Sequence, residues 1–403
     1  MEDSLTNFFE EYMGKESIFL DRKAVQSGFT PTNIPHRIEQ INSLAGILAP
    51  ALKGERPSNV FIYGKTGTGK TLVTKYVTEN MANISLKNSL NLKVFYINCK
   101  IGNKADTEYR LFAQLCKEFG FADLPDTGLP TDVIVDKFKH LLEEKKVILI
   151  IILDEVDELV RKIGASILYK LPRLNADLKE SEISLIGISN DLTFLDNIDP
   201  RARSSLSEEE MVFPPYNALQ LQNILRERAN IAFRKNVIDN GVIEKCAAHA
   251  AKEHGDARRA LDLLRVAAEL AERQNQTKIM ITNIDDAEDK IDRDKIFDSI
   301  KTQPKQHKLT LFSIFEACSE SSDRSVFTGE IYNKYIQYCS KVAAAPLTQR
   351  RVSDIIAELD MQGIINAKVM SRGRGGRTRK ISLAMPSQSV PKLIELLKEG
   401  LNL

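Results

Sequence analysis

Val60-Phe61-Ile62-Tyr63-Gly64-Lys65-Thr66-Gly67-Thr68-Gly69-Lys70-Thr71 runs from a short apolar strand into a glycine-rich turn, and a helical pattern follows at once. The turn matches G-x-x-x-x-G-K-[ST], and both flanks suit the chemistry. Glycines let backbone N–H groups curl around phosphate oxygens, and the N-terminus of the next helix adds its positive dipole end. Lys70 is expected to reach the β- and γ-phosphates and the Thr71 hydroxyl to ligate Mg2+, so the whole run Gly64–Thr71 is the candidate cradle for ATP or ADP.

Downstream, Val94–Ile97 and Val147–Leu153 are unbroken apolar runs, with Ile183–Ile188 and Met211–Phe213 as two further strands. Continuous β-branched runs predict strands buried on both faces of a parallel sheet. Helical patterns at Leu111–Phe119 and Val133–Leu142 lie between them, which is the α/β signature. Asp154-Glu155 follow the longest run directly, and side chains there emerge at the edge where such sheets hold ligands. Asp154 is the expected Mg2+ ligand, and Glu155 the group that orients or deprotonates an attacking water. Asn190, at the end of the next strand, can both donate and accept, which suits holding that water.

After Pro214-Pro215 the pattern becomes purely helical as far as Ile300. Val242, Ile243, Cys246, Ala247 and Ala250 share one helix face, and Leu261, Leu264, Ala268 and Ala271 another. A polar stretch, 301–308, marks a second boundary. The expected domains are therefore 1–215 (N-terminal segment and nucleotide-binding core), 216–300 (a small all-α domain) and 301–403.

The last region reads as helices at Leu309–Cys318 and Thr328–Cys339, a third beginning near Thr348, and a hairpin. Val352, Ile355, Ile356 and Leu359 form a core-facing stripe on the third helix. Arg350 lies opposite that stripe, and Thr348, Gln349, Arg351 and Ser353 flank it. Two arginines in a first turn oppose the helix dipole by ~0.3–1 kcal/mol each, a penalty that phosphates or guanine edges would offset. The hairpin carries Lys368, Arg372, Arg374, Arg377, Arg379 and Lys380 with no acidic residue, and Gly373 near its tip. This looks like the wing of a winged helix, with Arg372 and Arg374 placed to enter a minor groove.

Charge supports the division. Residues 301–403 hold sixteen Lys and Arg against nine Asp and Glu, whereas residues 1–300 hold 40 against 46. A basic third joined to an acidic remainder suggests a polyanion-binding module. At 43 % hydrophobic and 28 % charged, the 403 residues are neither collagenous nor low-complexity. No apolar run approaches the ~18–20 residues of a membrane span. The acidic start is unlike a signal peptide, and five widely spaced cysteines argue for a reducing compartment, so a cytoplasmic, nucleoid-associated protein without membrane partners is expected.

The phosphate loop, the Asp-Glu pair, the strand-end Asn and the trailing helical lid together resemble an AAA+ ATPase. Four strings narrow the resemblance to archaeal origin-recognition replication initiators, relatives of the eukaryotic origin recognition complex and its helicase-loading factor. They are Ile34-Pro35-His36-Arg37, Tyr63–Thr71, Phe213-Pro214-Pro215-Tyr216 and Gly255-Asp256-Ala257-Arg258-Arg259-Ala260. The resemblance implies an AAA+ core, a lid and a C-terminal winged helix. It makes Asn190 the sensor 1 residue and Arg258 the sensor 2 arginine, in the first turn of a helix capped by Asp256. It places Pro35, His36, Arg37 and Tyr216 at the nucleotide, and a DNA-touching insertion around Gly128 and Pro130. Where relatives carry an arginine finger this chain has Ser205, leaving Arg201 and Arg203 as candidates. The implied function is ATP-switched binding of double-stranded origin DNA and recruitment of the minichromosome maintenance helicase, with paralogous initiator subunits and slow turnover. The alternatives are another AAA+ DNA factor, such as a clamp-loader subunit or transposition ATPase, and a winged-helix transcriptional regulator with a structural nucleotide.

Overall fold

The computed structural model describes residues 13–403 apart from 15, 27, 101–105, 122–127, 195–207, 322, 324, 372–376 and 385–389. The chain divides into two compact units, residues 1–284 and 285–403. The first begins with α1 (Ile38–Leu48), β1 (Asn59–Tyr63), α2 (Lys70–Lys87), β2 (Leu92–Asn98), α3 (Glu108–Glu118) and α4 (Thr131–Lys145). It continues through β3 (Ile148–Asp154), α5 (Val156–Ile163), α6 (Ser166–Arg173), β4 (Glu182–Ser189) and β5 (Glu208–Val212). These strands form a parallel sheet in the order β2-β3-β4-β1-β5.

Central β3 and β4 are covered on both faces, which is why they read as unbroken apolar runs. Leu149, Ile151 and Leu153 face one core with Phe61, Phe112 and Phe138, while Ile150 and Ile152 face the other with Val60, Ile62 and Leu44. The edge strand β2 departs from the expectation of two buried faces. Buried and accessible side chains are mixed along it, and Tyr96 is 36 % exposed, because a strand at the rim is only partly covered by helices. Register sets Tyr63 beside Ser189, and Asp154 beside both Asn98 and Ile188. The C-terminal ends of β1 to β4 therefore finish together, at the edge where such sheets hold ligands.

The same unit contains α7 (Ala218–Ala232), α8 (Val242–Lys252) and α9 (Ala257–Arg273). Asn217 and Gln220 form a reciprocal capping box on α7, with bonds of 2.9 and 3.0 Å. The two predicted apolar faces of α8 and α9 are buried. The polar stretch ahead of α1 is built onto these helices. Phe19 meets Phe233 with ring centroids 5.0 Å apart, and Ser17 Oγ donates to Glu272 at 2.5 Å. Arg228 donates to the carbonyls of Ala24 and Phe29, both at 3.2 Å.

Helix α10 (Ile281–Thr302) precedes α11 (Lys305–Glu320), β6 (Ser325–Phe327), α12 (Thr328–Lys341), α13 (Gln349–Met361), β7 (Ile365–Ser371), β8 (Arg377–Leu383) and α14 (Val390–Leu401). The three strands make an antiparallel sheet in the order β6-β8-β7. The α13 stripe is buried with Phe312, Phe315 and Tyr335, giving a winged helix. Helix α14 was not anticipated, although Val390, Leu393, Leu397 and Leu401 carry a helical spacing and are buried. The architecture is thus a parallel P-loop sheet with a helical lid, plus a C-terminal winged helix. All five cysteines are buried and unbonded to one another, and no helix among the described residues is long and apolar enough to cross a membrane.

Candidate functional site

The turn between β1 and α2 is held in a conformation only glycine adopts easily. Gly67 and Gly69 have φ of +70° and +91°. A Cβ on Gly67 would overlap the Asp256 carboxylate, and one on Gly69 would come within 2.9 Å of the Tyr216 hydroxyl. Lys70, 5 % exposed, donates to the carbonyls of Gly64 at 2.6 Å and Lys65 at 2.8 Å, and to Asn190 Oδ1 at 2.9 Å. Burial pushes its ammonium down to about 8, against the pull of Asp154. Its bonded partners are all neutral oxygens, so an anionic group brought to it meets a cation short of counter-charge.

Asp154, also 5 % exposed, accepts from Thr71 Oγ1 at 2.9 Å and from the Tyr96 hydroxyl at 2.5 Å, both on Oδ2. Its other oxygen accepts the Glu155 N–H at 3.1 Å. Burial and the Asp154 bond hold the Tyr96 phenol above its ordinary range, so it acts as a donor. Glu155 sits at φ +56° as the residue before α5, with its carboxylate 3.4 Å from Lys100 Nζ. A hydroxyl and a carboxylate oxygen meeting at the cavity wall are the hard donors that suit Mg2+.

Thr66, Gly67, Gly69, Lys70, Thr71, Asp154, Glu155, Asn190, Tyr216 and Arg258 all line one cavity of about 400 Å³. The sequence reading missed much of the remaining wall. Gly28, Phe29 and Asn33 come from the N-terminal stretch, Lys75, Tyr96 and Asn98 from α2 and β2, and Ile224, Glu227, Arg228 and Leu261 from the lid. Only the β2 residues carried a local signal, since they end a strand adjoining Asp154. Gly64, Lys65 and Thr68 shape the loop from behind: Thr68 is fully buried and donates to the Lys65 carbonyl at 2.9 Å, and Lys65 Nζ lies 3.4 Å from His254 Nδ1.

Of the expected adenine-side residues, Pro35 lines the cavity, and His36 and Arg37 do not. Nε2 of His36 lies 3.3 Å from Asn223 Nδ2. Arg37 is 2 % exposed and donates to the carbonyls of Thr68 at 2.9 Å, Pro214 at 2.6 Å and His36 at 3.2 Å. Its guanidinium lies 3.9 Å from the Tyr216 ring centroid. Arg37 therefore ties the phosphate loop to the strand-to-lid connection. Arg37→Ala leaves the buried Thr68 carbonyl without its donor, at ~1–3 kcal/mol, and removes two part-buried bonds to Pro214 and His36, so it should lower the thermal midpoint by roughly 5–10 °C, read by calorimetry.

In the second unit Thr348 caps α13 by accepting the Arg351 N–H at 3.4 Å. Gln349, Arg350 and Arg351 are exposed, as is Lys368 on β7. Arg351 lies along its own helix, 3.4 Å from Glu358 and 3.9 Å from Asp354. Arg379 and Ser353, both expected at a DNA surface, are partly buried and meet each other. The guanidinium donates to the Ser353 carbonyl at 2.8 Å and fastens β8 to α13. Gly128 and Pro130 are exposed just ahead of α4, with Pro130 in its capping position. Arg201, Arg203, Arg372, Gly373 and Arg374 lie outside the described residues, and of Arg377 only the backbone, at the start of β8, is described.

Residues 53–193 match the family described as AAA domain, 222–289 the Cdc6 AAA+ ATPase-type lid domain, and 298–392 the CDC6 C-terminal winged helix domain. The ORC1-type DNA replication protein 1 of Methanosarcina acetivorans is 48 % identical over 392 residues, covering 97 % of this chain and 94 % of that protein. This chain belongs to the ORC1-type DNA replication protein family. The ORC1-type protein of Thermococcus onnurineus is likewise 48 % identical, over 98 % of this chain and 95 % of its own length. Among solved structures, the Aeropyrum pernix ORC1 protein in complex with DNA is 41 % identical, covers 96 % of this chain and 98 % of its own, and has a TM-score of 0.80. Cdc6p of Pyrobaculum aerophilum, 19 % identical over 96 % of this chain and 99 % of its own, shares the fold at a TM-score of 0.60. As an ORC1-type chain with an AAA domain, the protein is a replication initiator of the AAA+ ATPase class.

Proposed function

We propose that this initiator is a nucleotide switch. ATP bound between the sheet edge and the lid sets how the protein engages double-stranded origin DNA, and slow hydrolysis resets it. The observation that carries the reading is a direct bond between phosphate loop and lid: the Ala257 N–H donates to the Gly67 carbonyl at 3.2 Å, next to the Asp256 cap of α9. The loop that would seat the phosphates is thus bonded directly to the element that carries Arg258. In this reading Lys70 and the loop amides hold the phosphates, and Thr71 and Asp154 hold Mg2+, which neutralises phosphate charge when bound. Glu155 takes the proton of the attacking water, Asn190 orients that water, and Arg258 contacts the γ-phosphate. Arg201 or Arg203 would act on a neighbouring, paralogous subunit. A finger that a lone chain lacks lowers turnover by roughly 10³–10⁵, which favours a switch over a motor.

On the DNA side, the exposed first turn of α13 and the basic hairpin supply the contacts, with a second contact from the core near Gly128 and Pro130. The Aeropyrum relative, solved in complex with DNA, supports DNA binding by this chain. The modules would run 1–215, 216–300 and 301–403. The reading also includes recruitment of the minichromosome maintenance helicase, in the cytoplasm at the nucleoid, which membership of a replication-initiator family supports. Arg350→Ala should weaken DNA binding and reduce the slope of log affinity against log salt by about 1; an unchanged slope removes Arg350 from the phosphate contacts.

The deciding experiment compares duplex affinity for an origin fragment and a scrambled one, with ATP or ADP, across a salt series. Origin binding tighter by about 10³-fold and dependent on nucleotide is the expected result. Equal affinity for both fragments overturns origin reading by this chain alone, and identical curves with ATP and ADP overturn the switch. Specific binding spread over promoters would instead mark a transcriptional regulator.

A further inference from the structure

We infer that Tyr96 is a positioning residue for the divalent cation that accompanies the nucleotide, fixing through its phenol the oxygen of Asp154 that the cation meets. The inference rests on the nucleotide reading above and deepens it.

Tyr96 is an odd residue for its place. It stands on the edge strand β2 as a residue 36 % exposed, yet its hydroxyl is bonded to the carboxylate of Asp154, a residue only 5 % exposed. An aromatic kept only for packing would bury its ring and leave its hydroxyl in water. Here the ring lies under Lys75 Nζ, 4.1 Å from the centroid, and the hydroxyl reaches Asp154 Oδ2 at 2.5 Å. The same oxygen accepts Thr71 Oγ1 at 2.9 Å, and the opposite oxygen is fixed by the Glu155 N–H at 3.1 Å. A carboxylate gripped on both oxygens cannot rotate about its Cβ–Cγ bond.

The two side-chain donors on Oδ2 differ in what a cation does to them. The Thr71 hydroxyl has lone pairs of its own, so it can turn from donating to Asp154 to ligating the cation beside it. The phenol oxygen has lone pairs as well, but it comes from β2 and not from the phosphate loop and its helix, and in this reading it stays a donor. Tyr96 therefore holds the carboxylate in the same orientation before and after the cation arrives, the part that hydrogen bonds to ligating carboxylates play in metal sites. Lys75 stacks over the ring from α2, so the phenol is fixed from both sides of the cavity wall.

The test is Tyr96→Phe in the full chain, which keeps the ring under Lys75 and removes only the donor. Affinity for a fluorescent ATP analogue is titrated against Mg2+, and also measured in EDTA. Direct Mn2+ binding to the ATP-loaded protein, read by electron paramagnetic resonance, gives a second measure independent of hydrolysis. The expected result is a Mg2+ half-point raised ~10–100-fold and a matching loss of Mn2+ affinity, with affinity in EDTA within about twofold of the parent. A Mg2+ half-point within about twofold of the parent overturns the role of Tyr96. An equal loss in EDTA also overturns it, since Tyr96 would then shape the pocket and not the cation. If the parent protein itself shows no Mg2+ response while binding ATP, the cation reading fails one step earlier, and the two failures are told apart by the parent curve.

Discussion

Lys70→Ala should lower ATP affinity by at least ~10²-fold, the equivalent of about 3 kcal/mol, while leaving the nucleotide-independent part of duplex DNA affinity in place and abolishing its response to ATP. The size follows from position. The ammonium is almost fully buried, and its bonded partners are the carbonyls of Gly64 and Lys65 and the Asn190 side chain. Alanine removes the cation that the phosphates would meet and also leaves those three acceptors without their donor, so the loop loses its internal brace. Isothermal titration with ATP and a parallel DNA titration separate the two functions. A variant that loses both equally would mean that nucleotide and DNA sites are not modular, and the assignment of DNA contacts to the winged helix would need revision.

The second large effect is expected at Glu155. Glu155→Gln should slow single-turnover hydrolysis by ~10²–10⁴-fold, the usual contribution of a positioned general base, with ATP affinity changed less than about threefold. The backbone supports this split. Glu155 sits at φ +56°, immediately after the Asp154 that the reading assigns to the cation, and it lines the same cavity as Lys70 and Asn190. Glutamine keeps that shape but cannot take a proton. The lost ion pair to Lys100, itself 65 % exposed, contributes little to stability. The variant should accumulate in its ATP-bound form, so its DNA affinity reports the switched state directly. Unimpaired hydrolysis would remove Glu155 from the role of base.

What could be read in the sequence was what is encoded locally. The loop Gly64–Thr71, Asp154-Glu155 after an apolar run and Asn190 at a strand end each carry their signal within a few neighbouring residues, and the structure brings all three to one cavity. The stripe Val352, Ile355, Ile356 and Leu359 was equally plain, because periodicity needs no tertiary information. Roles that depend on distant partners were not legible. Arg37 is placed at the nucleotide by the resemblance, yet its acceptors are carbonyls of two loops, and Pro214 lies 177 residues away. Arg379 reads as one more basic residue of a hairpin, and only the fold turns it onto the Ser353 carbonyl. Phe29 and Asn33 sit in a stretch without periodicity, so nothing in their neighbourhood shows that they face the cavity. Tyr96 lay within a recognised strand, but the side its hydroxyl would take depends on β2 being a rim strand, a matter of sheet order.

The anchoring of the N-terminal stretch has a bearing on how the protein is made. Ser17 is bonded to Glu272, 255 residues further on, and Arg228 to the carbonyl of Ala24, 204 residues earlier. These first residues leave the ribosome early, but their seats exist only once the lid helices have been synthesised, ~10–50 s later at ordinary elongation rates of ~5–20 residues per second. During that interval the phosphate loop and its sheet can form without the wall that Gly28, Phe29 and Asn33 contribute. A nascent chain thus passes through a stage with an open half-site. Completion of the pocket is a late step in synthesis, and a chain truncated before the lid would carry the whole phosphate-binding motif without the pocket that encloses it.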